Sequence, residues 1–133
     1  MGFAEDINRW AQRTEEKMDL AVQKIALDLF ERVIMATPVD SGRARANWQV
    51  TIGTVPNGTL DLTDKTGQAT ISRATATAAG LKAGDVIYLV NNLPYIQRLE
   101  DGYSGQAPAG MVGLAVQDFQ AIARQVGFEL VVI

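Results

Sequence analysis

The stretch that decides the fold is FAEDINRWAQRTEEKMDLAVQKIALDLFERVIM, residues 3–35. Apolar side chains recur in it at helical spacing, namely Phe3, Ile7, Trp10, Met18, Val22, Ile25, Leu29 and Val33. This spacing predicts one long amphipathic helix. At about 1.5 Å per residue the helix would be roughly 50 Å long, whereas a domain this small is only ~30 Å across. We therefore expect residues 1–12 to be a projecting helix end, with Phe3, Ile7 and Trp10 packed against a neighbouring subunit.

The chain beyond this helix predicts a small sheet and further helices. The helix should end at Thr37-Pro38, because the residue before a proline disfavours the helical conformation, and residues 39–42 should form a turn. Alternating or continuous apolar residues predict strands over 44–54, 59–63 and 86–90. We expect helices over 68–79, 95–100 and 109–126, the second with Pro94 in its first turn. The apolar residues 128–133 are expected to add an edge strand or to dock on a partner.

These elements predict an α+β fold. The long N-terminal helix and a C-terminal helix would pack on a small, mainly antiparallel sheet. The chain has 133 residues, which favours a single domain spanning 1–133.

Composition excludes several kinds of function. Cysteine and histidine are both absent, so thiolate metal sites and catalysis by Ser–His or Cys–His pairs are excluded. We expect no enzyme activity, no metal and no cofactor. The net charge of −3 lacks the basic footprint of a nucleic-acid binder. No apolar run approaches the ~18 residues of a membrane span, and no signal peptide is evident, so we expect no membrane association and production in a cytoplasm.

Few residues indicate chemistry. Ser41, between Asp40 and Gly42, resembles a nucleophile in a tight turn, but a turn-stabilising role is favoured because no base is near. A hard cation would need several carboxylates to gather, and we interpret the candidates as solvated because their spacing matches no calcium loop. These candidates are Asp61, Asp64, Glu100 and Asp101.

Three arginines leave two interpretations open. Arg43 and Arg45 lie two apart, and in a strand they would share one face. With a negatively charged chain, we favour salt bridges at a subunit interface. The alternative is a small nucleic-acid-binding module, in which Arg43, Arg45 and Arg73 contact phosphates.

The loop over 101–108 is expected to be mobile in the free protein and ordered after assembly. Gly102 and Gly105 give it conformational freedom, and Pro108 makes its exit rigid. Tyr103 lies between the glycines, where its own subunit cannot easily bury it. We therefore expect Tyr103 to anchor the loop on a partner.

Two blocks resemble a known family. TPVDSGRARANW, residues 37–48, is similar to the TPVDTGRLRASW signature of neck or tail-completion proteins of long-tailed bacteriophages. VIYLVNNLPYIQRLE, residues 86–100, is similar to the second block of that family. The continuation through Gly102-Tyr103-Ser104 to a segment that begins with Gln106 is also typical of it.

The resemblance implies a structural virion protein without catalytic residues. It implies a homo-oligomeric ring, with a hexamer favoured, between the head-closure or connector ring and the tail terminator or tube proteins. DNA would pass through the lumen without specific binding. Arg43, Arg45, Tyr103 and Gln106 are then expected at the subunit or partner interface. Structural turns are expected at Pro38, Asp40, Ser41, Gly42, Pro94, Gly102 and Pro108.

Overall fold

A computed structural model describes residues 3–126 and 130–131, and the side chains of 14–124 and 130–131. The elements in chain order are α1 (Phe3–Ala36), α2 (Arg43–Ala46), β1 (Gln49–Ile52), α3 (Gln68–Ala78), β2 (Ile87–Val90), α4 (Ile96–Glu100) and α5 (Val112–Val126). The predicted α+β class is confirmed, with α5 packing on α1 beside a two-stranded antiparallel sheet.

The core forms around the second half of α1. Its apolar stripe becomes buried at Val22 and continues through Leu29 and Val33, where α3 and α5 cover it. Burying each such side chain contributes about 1.5–3 kcal/mol, so this half of α1 is a main source of stability. Trp48, Leu81 and Met111 complete the same cluster from three other parts of the chain.

The sheet places one face on this core. β1 and β2 are antiparallel, with Val50 opposite Leu89 and Ile52 opposite Ile87. These four side chains pack against the core cluster. The alternation that predicted β1 is therefore the alternation between the core face and the opposite face of the sheet.

Two strand predictions need correction. Residues 44–46, at the start of the predicted 44–54 strand, instead belong to the helical turn α2, which buries Ala44 and Ala46. The predicted strand over 59–63 is also wrong, because the structure assigns no strand to those residues. The side-chain amide of Asn47 bonds both backbone groups of Leu60, so that segment has a side chain in the place of a strand partner.

The predicted helices over 68–79, 95–100 and 109–126 and the predicted strand over 86–90 are confirmed, with ends that differ by one to three residues. α5 begins at Val112 instead of 109, because Gly110 has φ +83° and the Glu100 carboxylate accepts bonds from the first helical N–H groups. At the end of the chain, Leu130 packs against the core and bonds the Gln120 side chain through its N–H and C=O. The rest of the predicted C-terminal element lies outside the described residues.

Candidate functional site

The first family-like block joins the end of α1 to the start of the sheet. The Thr37 hydroxyl donates to the Val33 carbonyl at 2.7 Å and accepts the Trp48 indole N–H at 2.8 Å, and both bonds are buried. A helix end leaves carbonyl groups without partners, so a hydroxyl at this position satisfies one of them. Thr37 and Trp48 therefore fix the angle at which the chain leaves α1.

Arg45 extends the same connection. Its guanidinium donates to the carbonyl oxygens of Met35 at 2.9 Å, Thr37 at 3.1 Å and Lys65 at 2.6 Å. A cation at a helix C-terminus is also favoured by the helix dipole. Arg73 is used in a similar way, because it donates to the Ala46 carbonyl at 2.8 Å. Two of the three arginines proposed to contact DNA thus hold backbone groups of their own chain.

Arg43 and Arg45 do not share a strand face. They lie in α2, where residues two apart point about 200° from each other. The interpretation that they form one basic surface is therefore wrong in its geometry. Arg43 is exposed, and of the two it is the one whose side chain extends into solvent.

Asn47 is fully buried and all its polar atoms are engaged. Its amide nitrogen donates to the carbonyls of Arg43 at 2.8 Å and Leu60 at 3.0 Å, and its oxygen accepts the Leu60 N–H at 2.7 Å. An unsatisfied buried amide costs about 1–3 kcal/mol, so these bonds are required once the side chain is buried. Asn47 thereby holds the 58–60 segment beside the start of β1.

Gly42 brings the turn into contact with a distant loop. Its φ of +90° favours glycine, and a Cβ there would lie 2.8 Å from the Asp64 carbonyl carbon. The Asp64 N–H donates to the Gly42 carbonyl at 3.0 Å. Around this glycine, Pro38 is buried, Asp40 is exposed, and the Ser41 hydroxyl accepts the Arg43 N–H at 3.3 Å.

The Asp64 carboxylate caps the beginning of α3. It accepts the backbone N–H groups of Gly67 and Thr70, each at 2.9 Å, and the Thr70 hydroxyl at 2.7 Å. Partial burial raises the pKa of Asp64, but the hydrogen bonds from Thr70, Gly67 and Thr66 lower it by more, so the net pKa is below 3.8. Asp64 is thus a helix cap, a role that sequence reasoning missed.

Glu100 is a second carboxylate that caps a helix. Its two oxygens accept the N–H groups of Met111, Val112 and Gly113 at 2.8–3.0 Å, at the positive end of α5. Asp64 and Glu100 were both considered as cation ligands, and both are used here for backbone groups. Within the described ranges, no group of three or more acidic side chains is placed to hold a metal ion.

The two family-like blocks contact each other. The Asn91 amide donates to the Ala44 carbonyl at 2.8 Å. The Gln106 side chain accepts the Val39 N–H at 2.9 Å and donates to the Val39 carbonyl at 3.0 Å. Gln106, expected at an interface, therefore uses its amide within its own chain while remaining exposed.

The 101–108 loop is anchored at both ends and exposes its aromatic residue. At Gly102, φ is +90° and a Cβ would lie 2.2 Å from the Pro108 carbonyl oxygen, so the two ends of the loop touch. Tyr103 is 76% exposed, and the Arg98 guanidinium lies 5.4 Å from the centre of its ring. Pro94 and Pro108 are both exposed at the surface. The loop therefore exposes the Tyr103 side chain while its two ends are held against the domain.

The first half of α1 presents the second candidate surface. The helical backbone reaches Phe3, but the side chains of Phe3, Ile7 and Trp10 lie outside the described side chains. Residues 14–18 are exposed on every side of the helix, and Met18, which continues the core stripe, is 40% exposed. Asp19, in the middle of α1, bonds the helix to the rest of the domain by accepting the Ala83 N–H at 2.8 Å.

Comparisons of the chain with protein-family models, curated proteins and solved structures gave no match. No helix within the described residues has the length and apolar content needed to cross a membrane.

Proposed function

We propose that this chain is a structural virion protein of the bacteriophage neck. It joins or completes the tail at the head–tail junction by assembling into a ring, with six copies favoured. Its partners are the head-closure or connector ring on one side and tail terminator or tube proteins on the other. DNA passes through the lumen without being gripped.

The observation that carries the proposal is the division of the α1 stripe. One helix carries one apolar stripe, which is buried from Val22 onward and exposed at Met18. The sequence continues the stripe through Trp10, Ile7 and Phe3, at least two helical turns before Asp19, which bonds Ala83 in the domain. An apolar face beyond the domain gains stability only when another molecule covers it.

The family-like blocks support the same function. Their polar side chains hold backbone groups within the chain: Thr37 and Arg45 at the end of α1, and Asn91 and Gln106 across the blocks. These bonds fix the orientation of the long helix relative to the sheet. A ring subunit needs such rigidity because each copy contacts two neighbours through different surfaces at fixed angles.

The test is to alter the exposed stripe without altering the core. The variant Phe3→Gln, Ile7→Gln, Trp10→Gln keeps good helix formers and removes the apolar face. The control variant Asp6→Gln, Arg9→Gln, Arg13→Gln changes three residues of the same helix outside that stripe. We expect the first to melt like the wild type but to form no rings and to fail to join heads to tails in a complementation assay, whereas the control stays active.

Loss of the cooperative melt in the first variant alone would assign the stripe to the core of the monomer and contradict the proposal. Equal activity of the two variants in head–tail joining would contradict it as well.

A further inference from the structure

The two-stranded sheet has one open edge on each strand. Gly53 donates its N–H to the Val86 carbonyl at 2.8 Å, just beyond the paired residues. Hydrogen-bonded and non-hydrogen-bonded pairs alternate in an antiparallel ladder, so the pairs Thr51–Tyr88 and Gln49–Val90 exchange the bonds inside the sheet. The N–H and C=O groups of the alternate residues therefore point outward, at Val50 and Ile52 on β1 and at Ile87 and Leu89 on β2.

These outward groups have no protein partner in the part of the chain that the structure describes. No described backbone or side-chain group bonds them, and no described segment forms a third strand. Between β1 and α3, a half-open pocket of about 200 Å³ is lined by Trp48, Val50, Thr51, Arg73, Ala74 and Thr77. An open strand edge is a template for another strand.

We propose that the edges pair between copies, so that β1 of one copy adds to β2 of the next. The inference rests on the ring assembly proposed above and names the contact that closes it. Because β1 and β2 are antiparallel, copies that follow one another with the same orientation continue an antiparallel sheet across the boundary.

A second copy is the occupant that we infer, because β2 carries the same number of outward groups as β1 at the same spacing. Each edge offers two outward residues separated by one inward residue, so the edges match in length. A head-to-tail contact uses one edge of each kind, and a closed ring leaves neither edge exposed. A two-fold β1–β1 contact would leave both β2 edges open.

Proline substitution removes the outward donor of each edge. Val50→Pro and Leu89→Pro cost no bond inside the sheet, because those N–H groups point away from it. Val50→Ala and Leu89→Ala are the matched controls, since they lose the side chain that packs on the core but keep the N–H. We expect association, measured by light scattering against concentration, to be about tenfold weaker for each proline variant than for its alanine control. Equal association of the two would contradict the inference.

Hydrogen exchange of the unsubstituted chain tests the same contact without any substitution that could disturb folding. In the monomer, the amides of Val50, Ile52, Ile87 and Leu89 should exchange fast, while those of Thr51 and Tyr88 are protected. In the ring, all six should be protected. Rings in which the four outward amides still exchange fast would refute edge pairing and leave the proposed function intact.

A chain that stays monomeric at every concentration and does not join heads to tails would overturn both proposals. Protection of the outward amides only after a different neck or tail protein is added would assign the edges to that partner and overturn pairing between copies.

Discussion

The two halves of α1 carry the same apolar stripe in different surroundings. After Val22 the stripe meets α3 and α5 and is buried, whereas one turn earlier Met18 remains 40% exposed. Periodicity alone is identical in the two halves, so it reports which face is apolar and not what covers it. The difference teaches that the boundary between core and surface is set by the length of the rest of the domain.

The largest expected effect is on stability and separates the two halves directly. Leu29→Ala should destabilise the monomer by about 2–5 kcal/mol, because a buried side chain is removed and a cavity remains. Met18→Ala changes the same stripe in its exposed part and should cost less than about 1 kcal/mol. Urea denaturation followed by circular dichroism measures both. Similar losses in the two variants would show that Met18 belongs to the core and would abolish the comparison.

Features set by residues close in sequence could be predicted, whereas those set by residues distant in sequence could not. The α1 stripe and the Val50–Ile52 alternation are local patterns, and the structure confirms the helix and the strand. The strand prediction failed at 44–46, where alternating alanine and arginine fits either structure. There Gly42 adopts positive φ and Arg45 reaches the carbonyls at the end of α1, so tertiary contacts favour the helical turn.

The polar contacts were harder to predict for the same reason. Gln106 and Val39 are 67 residues apart, and nothing in the sequence near either residue signals that they meet. Glu100 likewise caps a helix that begins twelve residues later across a turn. Asp64 was closer to being predictable, because a carboxylate shortly before a predicted helix start is typical of a cap.

An intermediate effect is expected at Asp64, which caps α3, the helix that packs on the second half of α1. Asp64→Asn should cost about 1–3 kcal/mol at pH 7, because the amide group places N–H donors where Thr70 or Gly67 needs an acceptor. Asp61→Asn is the matched control, with the same charge change at an exposed position. Thermal melts across pH measure the difference.

The pH dependence has a definite sign. The folded pKa of Asp64 lies below 3.8, so the stabilisation from its charged form is present above the pKa of the unfolded chain and is lost as pH falls through the folded value. The stability gap between the wild type and Asp64→Asn should therefore narrow below about pH 4. A gap of constant size from pH 7 to pH 3 would show that the charge of Asp64 contributes nothing.

The smallest effect on the stability of the monomer is expected at Tyr103, an exposed residue that does not belong to α1. The ring is 76% exposed, so Tyr103→Ala should change the free energy of unfolding by less than about 0.5 kcal/mol. Assembly should nevertheless weaken, because an aromatic side chain held beside Arg98 loses little entropy when a partner covers it. Gly102 and Gln106 attach the loop to the domain, and the Tyr103 N–H donates to the Arg98 carbonyl at 3.0 Å. Fast hydrogen exchange in the free protein should therefore be confined to 104–105, and the ring should slow it. Gln97→Ala, an exposed change on the preceding helix, serves as the control. If Tyr103→Ala forms rings as readily as that control, the tyrosine is no interface anchor, and the stripe of α1 and the sheet edges must account for assembly without it.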